Sequence, residues 1–189
     1  MKQIISILII AFILNGCIFV AGAAAGAAGI AVVYDHRKLE KVLLDEKTTK
    51  DISYKLRMIP EIKNNSHIEV SCFNQIVLLT GETKNIATKN QVEDIVRTFP
   101  KVKRIFNQIY IKGSASALTK ASDSWITTKI KTEMLATKGL KSSNIKVVTE
   151  NGTVYLMGNV SHQQAEIAVD ISRKVRGVQR VMKIFQYNK

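Results

Sequence analysis

The chain has 189 residues and a strong basic excess, with 28 lysines and arginines against 15 aspartates and glutamates and a net charge of +13 at pH 7. This charge favours an acidic partner, either nucleic acid or anionic lipid headgroups. Two cysteines are too few for a disulfide framework, and the three histidines lie in separate segments without the spacing of metal ligands. The composition therefore excludes a disulfide-stapled scaffold and argues against a metal site.

The first 16 residues have the features of a bacterial lipoprotein signal peptide. Lys2 provides a positive charge, residues 4–14 form an apolar run, and Leu14-Asn15-Gly16-Cys17 follows. This last segment resembles a lipobox, so we expect cleavage before Cys17 and lipidation of Cys17, including palmitate. Ile18 occupies the position where an aspartate often signals inner-membrane retention. We therefore expect an outer-membrane lipoprotein that faces the periplasm.

An uncleaved membrane anchor is the alternative interpretation of this region. Residues 20–33 continue the apolar character, and a membrane-spanning helix needs about 20 such residues. This second stretch consists mostly of alanine and glycine, which gain little from lipid and suit a slack tether. We expect residues 17–46 to form a lipidated N-terminus and tether, with a charged, partly helical lead-in from residue 34. A secreted lipoprotein rarely meets nucleic acid, which leaves anionic lipid as the expected partner.

From residue 47 onward the spacing of the hydrophobic residues alternates between the helical and the strand pattern in a fixed order. Helical spacing comes first, and two alternating runs on either side of Asn74-Gln75 then predict a β-hairpin. A second helical stripe ends before Pro100, and a further alternating run predicts a third strand. The apolar positions of these elements are, in order, Ile52, Leu56 and Ile59; Ile68, Val70, Cys72, Val77 and Leu79; Val92, Ile95, Val96 and Phe99; and Ile105, Ile109 and Ile111.

The same order recurs after residues 113–122, which are small and polar and are predicted to be a linker. Asn151-Gly152 is a strong hairpin-turn signal at the position that Asn74-Gln75 has in the first copy. A shift of 77 positions superposes the two hairpins. The identical residues are Ile68, Val70, Asn74, Val77, Leu79 and Gly81, which recur as Ile145, Val147, Asn151, Val154, Leu156 and Gly158.

The predicted fold class is α+β, with two αββαβ units at residues 47–112 and 123–189. In each unit the second strand, the second helix and the third strand form a crossover, which is right-handed when the two strands are parallel. Both helices then cover the same face. Each unit is therefore expected to be a three-stranded mixed sheet with two helices on one face.

This pattern resembles the BON domain, and the whole chain resembles the outer-membrane lipoproteins with two BON domains. The most specific segments are residues 123–130 (DSWITTKI), 142–147 (SSNIKV) and 150–158 (ENGTVYLMG). Glycines at the characteristic positions of the repeat are expected to be structural: Gly81, Gly152, Gly158 and Gly177. The first copy departs from the pattern, because Gln75 replaces the turn glycine and Pro100-Lys101 replaces the counterpart of Gly177.

The resemblance implies a non-enzymatic protein that helps to maintain the outer-membrane barrier, and we expect no cofactor and no small-molecule substrate. From the basic surface we expect a preference among lipid neighbourhoods, including curved or anionic zones such as the division site. The resemblance also implies that the first helix of the second unit touches anionic phospholipid. The residues agree with an absence of catalysis, because the carboxylates are scattered and no serine lies in a nucleophile motif. An envelope scaffold that docks proteins without recognising lipid is the alternative function.

The lipid-contacting residues can also be sought on a helical wheel of the second unit. Ile126, Ile130 and Met134 share one face, which is predicted to be the core, and the lone tryptophan, Trp125, points away from it. The amphipathic ring of a tryptophan and the long stem of a lysine both suit the headgroup region. The expected lipid contacts are Trp125, Thr128, Lys129, Lys131, Thr132 and Leu135. Packing of Trp125 against the first unit or the linker is the alternative.

Overall fold

The computed structural model describes residues 39–113 and 115–188. Cys17, the signal peptide and most of the tether lie outside these residues. The helices are α1 (Leu39–Arg57), α2 (Pro60–Asn65), α3 (Ile86–Arg97), α4 (Ala117–Ala136) and α5 (His162–Lys174), with a 3₁₀ turn at Ser142–Asn144. The strands are β1 (Ser66–Phe73), β2 (Ile76–Thr83), β3 (Arg104–Asn107), β4 (Tyr110–Ile111), β5 (Ile145–Glu150), β6 (Thr153–Val160) and β7 (Arg180–Tyr187).

Each repeat forms a mixed sheet around a central strand, which confirms the predicted α+β class. In the first sheet β2 pairs antiparallel with β1 and parallel with β3 and β4. In the second sheet β6 pairs antiparallel with β5 and parallel with β7. The crossover helices are α3 and α5, so the topology is that of two αββαβ units.

The two sheets pack face to face, and the helices cover the two outer sides. One core lies between the first sheet and α1 and α3, and another lies between the second sheet and α4 and α5. A third apolar cluster, which we call the seam, joins the inner faces of the two sheets. Its buried members are Phe73, Ile76, Leu78, Tyr155, Met157 and Ile184. The layers are therefore helix, sheet, sheet and helix, with α1 and α4 on opposite sides.

Within each repeat, a buried carboxylate of the first helix holds the hairpin turn. The buried carboxylate of Asp45 on α1 accepts hydrogen bonds from the backbone N–H groups of Asn74 (2.7 Å) and Gln75 (3.0 Å). In the second repeat Asp123 on α4 accepts from the N–H groups of Asn151 (2.8 Å) and Gly152 (2.9 Å). The same device thus fixes helix to hairpin in both copies.

Both hairpin turns have positive φ at their two central residues, as a two-residue turn of type I′ requires. The φ angles are 50° at Asn151 and 69° at Gly152, and 48° at Asn74 and 65° at Gln75. Gln75 therefore adopts the left-handed conformation without being glycine, which is uncommon for such a residue. The departure from the BON pattern at this position changes the residue and leaves the turn unchanged.

The glycines singled out in the sequence have distinct structural reasons. A Cβ at Gly81 would lie 1.9 Å from the carbonyl oxygen of His67, and one at Gly158 would lie 2.7 Å from that of Asn144. Both glycines therefore allow the neighbouring backbone to approach closely. Gly81 also has a positive φ angle, of 103°, as do Gly152 (69°) and Gly177 (93°), and glycine adopts such angles without strain.

The structure refines several element boundaries. The first helix begins at Leu39, within the stretch expected to be a partly helical lead-in, and α4 begins at Ala117, within residues 113–122 that were predicted to be a linker. Ile59, expected in the first helix, lies after its end, where Pro60 starts the short helix α2. The expected third strand of the first repeat is divided into β3 and β4. At the division the N–H of Ile109 donates to Oδ1 of Asn107 (3.3 Å), and the side-chain nitrogen of Asn107 donates to the carbonyl oxygen of Lys89 on α3 (3.2 Å).

Candidate functional site

The outer side of α4 brings together all the residues expected to touch lipid. Ser116 caps the helix by accepting a hydrogen bond from the N–H of Thr119 (3.1 Å). Ile126, Ile130 and Met134 are buried against the second sheet. The opposite face is consequently held toward solvent. The exposed residues of that face, which we call the α4 outer face, are Leu118, Trp125, Thr128, Lys129, Lys131, Thr132 and Leu135.

The α4 outer face exposes three large apolar side chains. Trp125 is 52% exposed, Leu135 68% and Leu118 80%. The hydroxyl groups of Thr128 and Thr132 donate to carbonyl oxygens of their own helix, each at 2.9 Å. Their donors are thus satisfied internally. The face can therefore enter a partly apolar environment without leaving these hydroxyl groups unpaired.

Cations flank this surface. Lys129 forms an exposed ion pair with Glu133 one turn later, at 3.3 Å, while Lys131 is exposed on the same helix. Asp123 is the acidic residue nearest to Trp125 in sequence, but its carboxylate is buried and bound to the hairpin turn. The indole is accordingly flanked by basic and hydroxyl side chains.

Leu118 is a member of this surface that the sequence analysis missed. It is seven residues before Trp125, which is two helical turns, so the two side chains share a face. The polar composition of residues 113–122 concealed the helix. Ser116 is the N-cap residue of α4, and recognising it as a capping residue would have predicted that a helix begins at Ala117.

A groove of about 470 Å³ borders α4 where the edge strands β1 and β5 approach each other. Its charged lining consists of His67, Glu69, Lys120, Asp123, Lys146 and Glu150. Burial, followed by the charge of Glu82, raises the pKa of Glu150 to about 7. The groove therefore contains a carboxyl group that titrates far from its ordinary range.

Neither metal chemistry nor thiol chemistry is supported by the described side chains. Within residues 39–113 and 115–188, no cluster of three or more His, Cys, Asp or Glu residues could hold a metal ion. Burial raises the pKa of the Cys72 thiol to about 12, and its Sγ lies 3.3 Å from a carboxylate oxygen of Asp45. A thiol in this state is a poor nucleophile. Among the described helices, none is both long and apolar enough to span a bilayer.

Comparison with known proteins defines the class to which this architecture belongs. The family model of the BON domain matches residues 45–113 and again residues 122–189. The chain therefore belongs to the BON domain family and contains two such domains in tandem, as the sequence analysis expected.

The relatives extend this assignment to nearly the whole chain. The chain is 30% identical over 183 residues to the outer membrane lipoprotein DolP of Haemophilus influenzae, covering 94% of this chain and 95% of that protein. It is 34% identical over 143 residues to a protein named 21 kDa hemolysin of Actinobacillus pleuropneumoniae, covering 76% and 74% of the two chains. It is 26% identical over 158 residues to the osmotically-inducible protein Y of Escherichia coli, covering 82% and 78%. These similarities confirm a dual-BON protein of the DolP type.

Proposed function

We propose that this protein is an envelope lipoprotein, anchored through Cys17, that binds anionic phospholipid through the α4 outer face and thereby supports envelope integrity. The observation that carries the proposal is the exposed Trp125 on a surface with Leu118, Leu135 and Lys131. Similarity to an outer membrane lipoprotein over 94% of the chain supports the location in the envelope.

The energetics assign different roles to the acyl chains and to α4. A cation close to an anionic surface contributes roughly 1 kcal/mol. Buried acyl chains contribute about 0.8 kcal/mol for each CH₂ group, so several chains at Cys17 far exceed what a few lysines provide. The α4 outer face therefore selects among lipid neighbourhoods, and the acyl chains keep the protein at the membrane. Anionic or curved zones such as a division site are the neighbourhoods that this selection favours.

Vesicle binding by a soluble form tests the proposal. Residues 37–189 form one compact unit that contains all three apolar clusters and lacks Cys17. We expect this form to sediment with phosphatidylglycerol vesicles at 0.1 M salt, to bind less at 0.5 M salt, and not to sediment with phosphatidylcholine vesicles. Because Trp125 is the one tryptophan of the chain, its fluorescence should also shift to shorter wavelength on binding.

Substitution separates the α4 outer face from the general positive charge of the protein. Trp125→Glu should lower binding to phosphatidylglycerol vesicles at least tenfold. Tyr54→Glu is the matched control, because Tyr54 is an exposed aromatic residue on the first helix of the other repeat. It makes the same charge change and should retain most of the binding. Equal losses in both variants would show that charge alone attracts the protein.

A protein-interaction scaffold is the second candidate, and the surface of α1 favours it. This helix exposes Leu39, Leu43 and Tyr54, and Met58 is exposed just beyond its end, on the opposite side of the molecule from α4. Capture of one stoichiometric envelope protein, with no binding to either type of vesicle, would support this candidate against lipid recognition.

A further inference from the structure

The junction between the two repeats contains two buried carboxyl groups that meet at one asparagine. The side-chain nitrogen of Asn151 donates to Oε1 of Glu82, in the first repeat, at 2.8 Å and to Oε1 of Glu150, in the second repeat, at 3.2 Å. Glu82 is 1% exposed and Glu150 is 7% exposed. Bound to one nitrogen at these distances, the two oxygens are no more than about 6 Å apart.

The hydrogen bonds at this junction suit one negative charge better than two. Oε2 of Glu82 is buried and has no hydrogen-bond partner among the described residues. Two ionised carboxylates at such a separation repel each other, and burial disfavours the charged form of Glu150. A protonated carboxyl group has an O–H to donate, and the free oxygen of Glu82 is the kind of acceptor that it needs.

The charged groups around the pair do not offset the repulsion. Further carboxylates face it from Glu69 on β1 and Asp123 on α4, and both raise the pKa of Glu150. The nearby cations are Lys120 on α4, which lowers that pKa by less, Lys112, whose Nζ donates to Oδ1 of Asn151 at 2.8 Å, and Lys146 on β5. His67 lies 3.1 Å from Nζ of Lys120.

Two phenols complete the surroundings of the pair. The hydroxyl group of Tyr110 lies 3.3 Å from Oγ1 of Thr153, and burial holds the pKa of Tyr155 above its usual range, although Arg180 acts to lower it. Tyr155 therefore remains neutral throughout the range in which Glu150 titrates.

At the other end of the seam, the asparagine of the first hairpin turn also donates to a side chain of the opposite repeat, but the acceptor there is neutral. There the side-chain nitrogen of Asn74 donates to the neutral Oε1 of Gln186, in the second repeat, at 3.2 Å. Phe73 occupies the repeat position that corresponds to Glu150. Among these two contacts, the carboxyl pair is thus a property of one end of the seam.

We propose that Glu150 keeps its proton at the junction with Glu82 and Asn151, and that loss of this proton as the pH rises through neutrality loosens the packing of the two repeats. The folded state then binds more protons than the unfolded state between the ordinary pKa of glutamate and about pH 7. This stabilisation is complete below the ordinary pKa of glutamate, decreases as the pH rises from there, and is lost once the pH has risen through the folded value of about 7.

Thermal unfolding of the full-length chain in a non-ionic detergent tests this proton-dependent packing. Between pH 5.5 and 8.5 we expect the Tm of the wild type to fall by about 5 °C, which is the order expected for a shift of this size in a chain of this length. Glu150→Gln should remove most of this dependence. Gln186→Ala, the matched control at the neutral end of the seam, should lower Tm by a similar amount at every pH and keep the wild-type slope.

A residue-specific titration of the wild type tests the proposal even if a variant fails to fold. The ¹³C signal of the Glu150 carboxyl group should titrate near pH 7 in the wild type, and Glu82→Gln should move its midpoint to lower pH by removing the neighbouring charge. A midpoint at the ordinary value of glutamate, or an unchanged slope in Glu150→Gln, would overturn the proposal. No lipid enters either measurement, so their outcome is separate from that of the vesicle experiment.

Discussion

Asp45 and Asp123 show how a single buried carboxylate can organise a repeat. Each accepts two backbone hydrogen bonds from a hairpin turn whose residues have positive φ. Because both turns have this conformation, their N–H groups point together toward the helix. The carboxylate therefore fixes the position of the first helix on its sheet, and in the second repeat that helix is α4, which presents the α4 outer face.

Removal of this carboxylate in the second repeat should be costly. Asp123→Ala leaves the N–H groups of Asn151 and Gly152 without their acceptor, and we expect a loss of about 2–4 kcal/mol in the free energy of unfolding, measured with urea. Asp51→Ala is the control, because Asp51 forms an exposed ion pair with Lys47 on the same type of helix. That change should cost less than about 0.5 kcal/mol. Similar losses in the two variants would contradict the assigned role.

At the scale of the elements, periodicity predicted the strands and helices because each of them buries one face. The alternation from Ile68 to Gly81 corresponds to β1 and β2, and the stripe of Ile126, Ile130 and Met134 corresponds to α4. Helix ends were harder to locate. The early turns of α1 and α4 bury few apolar side chains, and their buried residues Asp45, Thr48 and Asp123 are polar.

The carboxyl junction could not have been predicted from either repeat alone. Glu82 follows the alternation of β2 onto the face opposite the helices, which a single sheet would leave in water. It is buried because the second sheet covers that face. The outward position of Trp125, in contrast, depends only on the helix that contains it, so the helical wheel was sufficient.

Because α4 begins at Ala117, earlier than the sequence analysis predicted, we expect a further lipid contact at Leu118. Burial of a leucine side chain stabilises by about 1.5–3 kcal/mol, and partial insertion at the headgroup level would use part of that energy. Leu118→Asn should therefore weaken binding of residues 37–189 to phosphatidylglycerol vesicles about fivefold, with no change in Tm because the side chain is exposed. Leu43→Asn on α1 is the control and should leave binding unchanged. Unaltered binding of Leu118→Asn would confine the contact to the later turns of α4.

At the scale of the whole molecule, the seam makes the two repeats interdependent. Ile76 and Leu78 alternate along β2 with Val77 and Leu79, so the first pair faces the second sheet and the second pair faces the helices of its own repeat. The seam also buries Tyr155, Met157 and Ile184 of the second repeat. Separation of the repeats would expose both inner faces to water, which predicts that they unfold together.

The lone tryptophan allows this coupling to be measured. Trp125 reports on the second repeat, whereas Leu79 is fully buried in the core of the first. Leu79→Ala should lower the stability of the first repeat by about 2–5 kcal/mol. If the repeats unfold as one unit, the urea midpoint of Trp125 fluorescence must fall with it and coincide with the midpoint from circular dichroism. A Trp125 transition that keeps its wild-type midpoint in Leu79→Ala would show that the seam is too weak to couple the domains, and the proton-dependent junction would then act locally at Glu82 and Glu150.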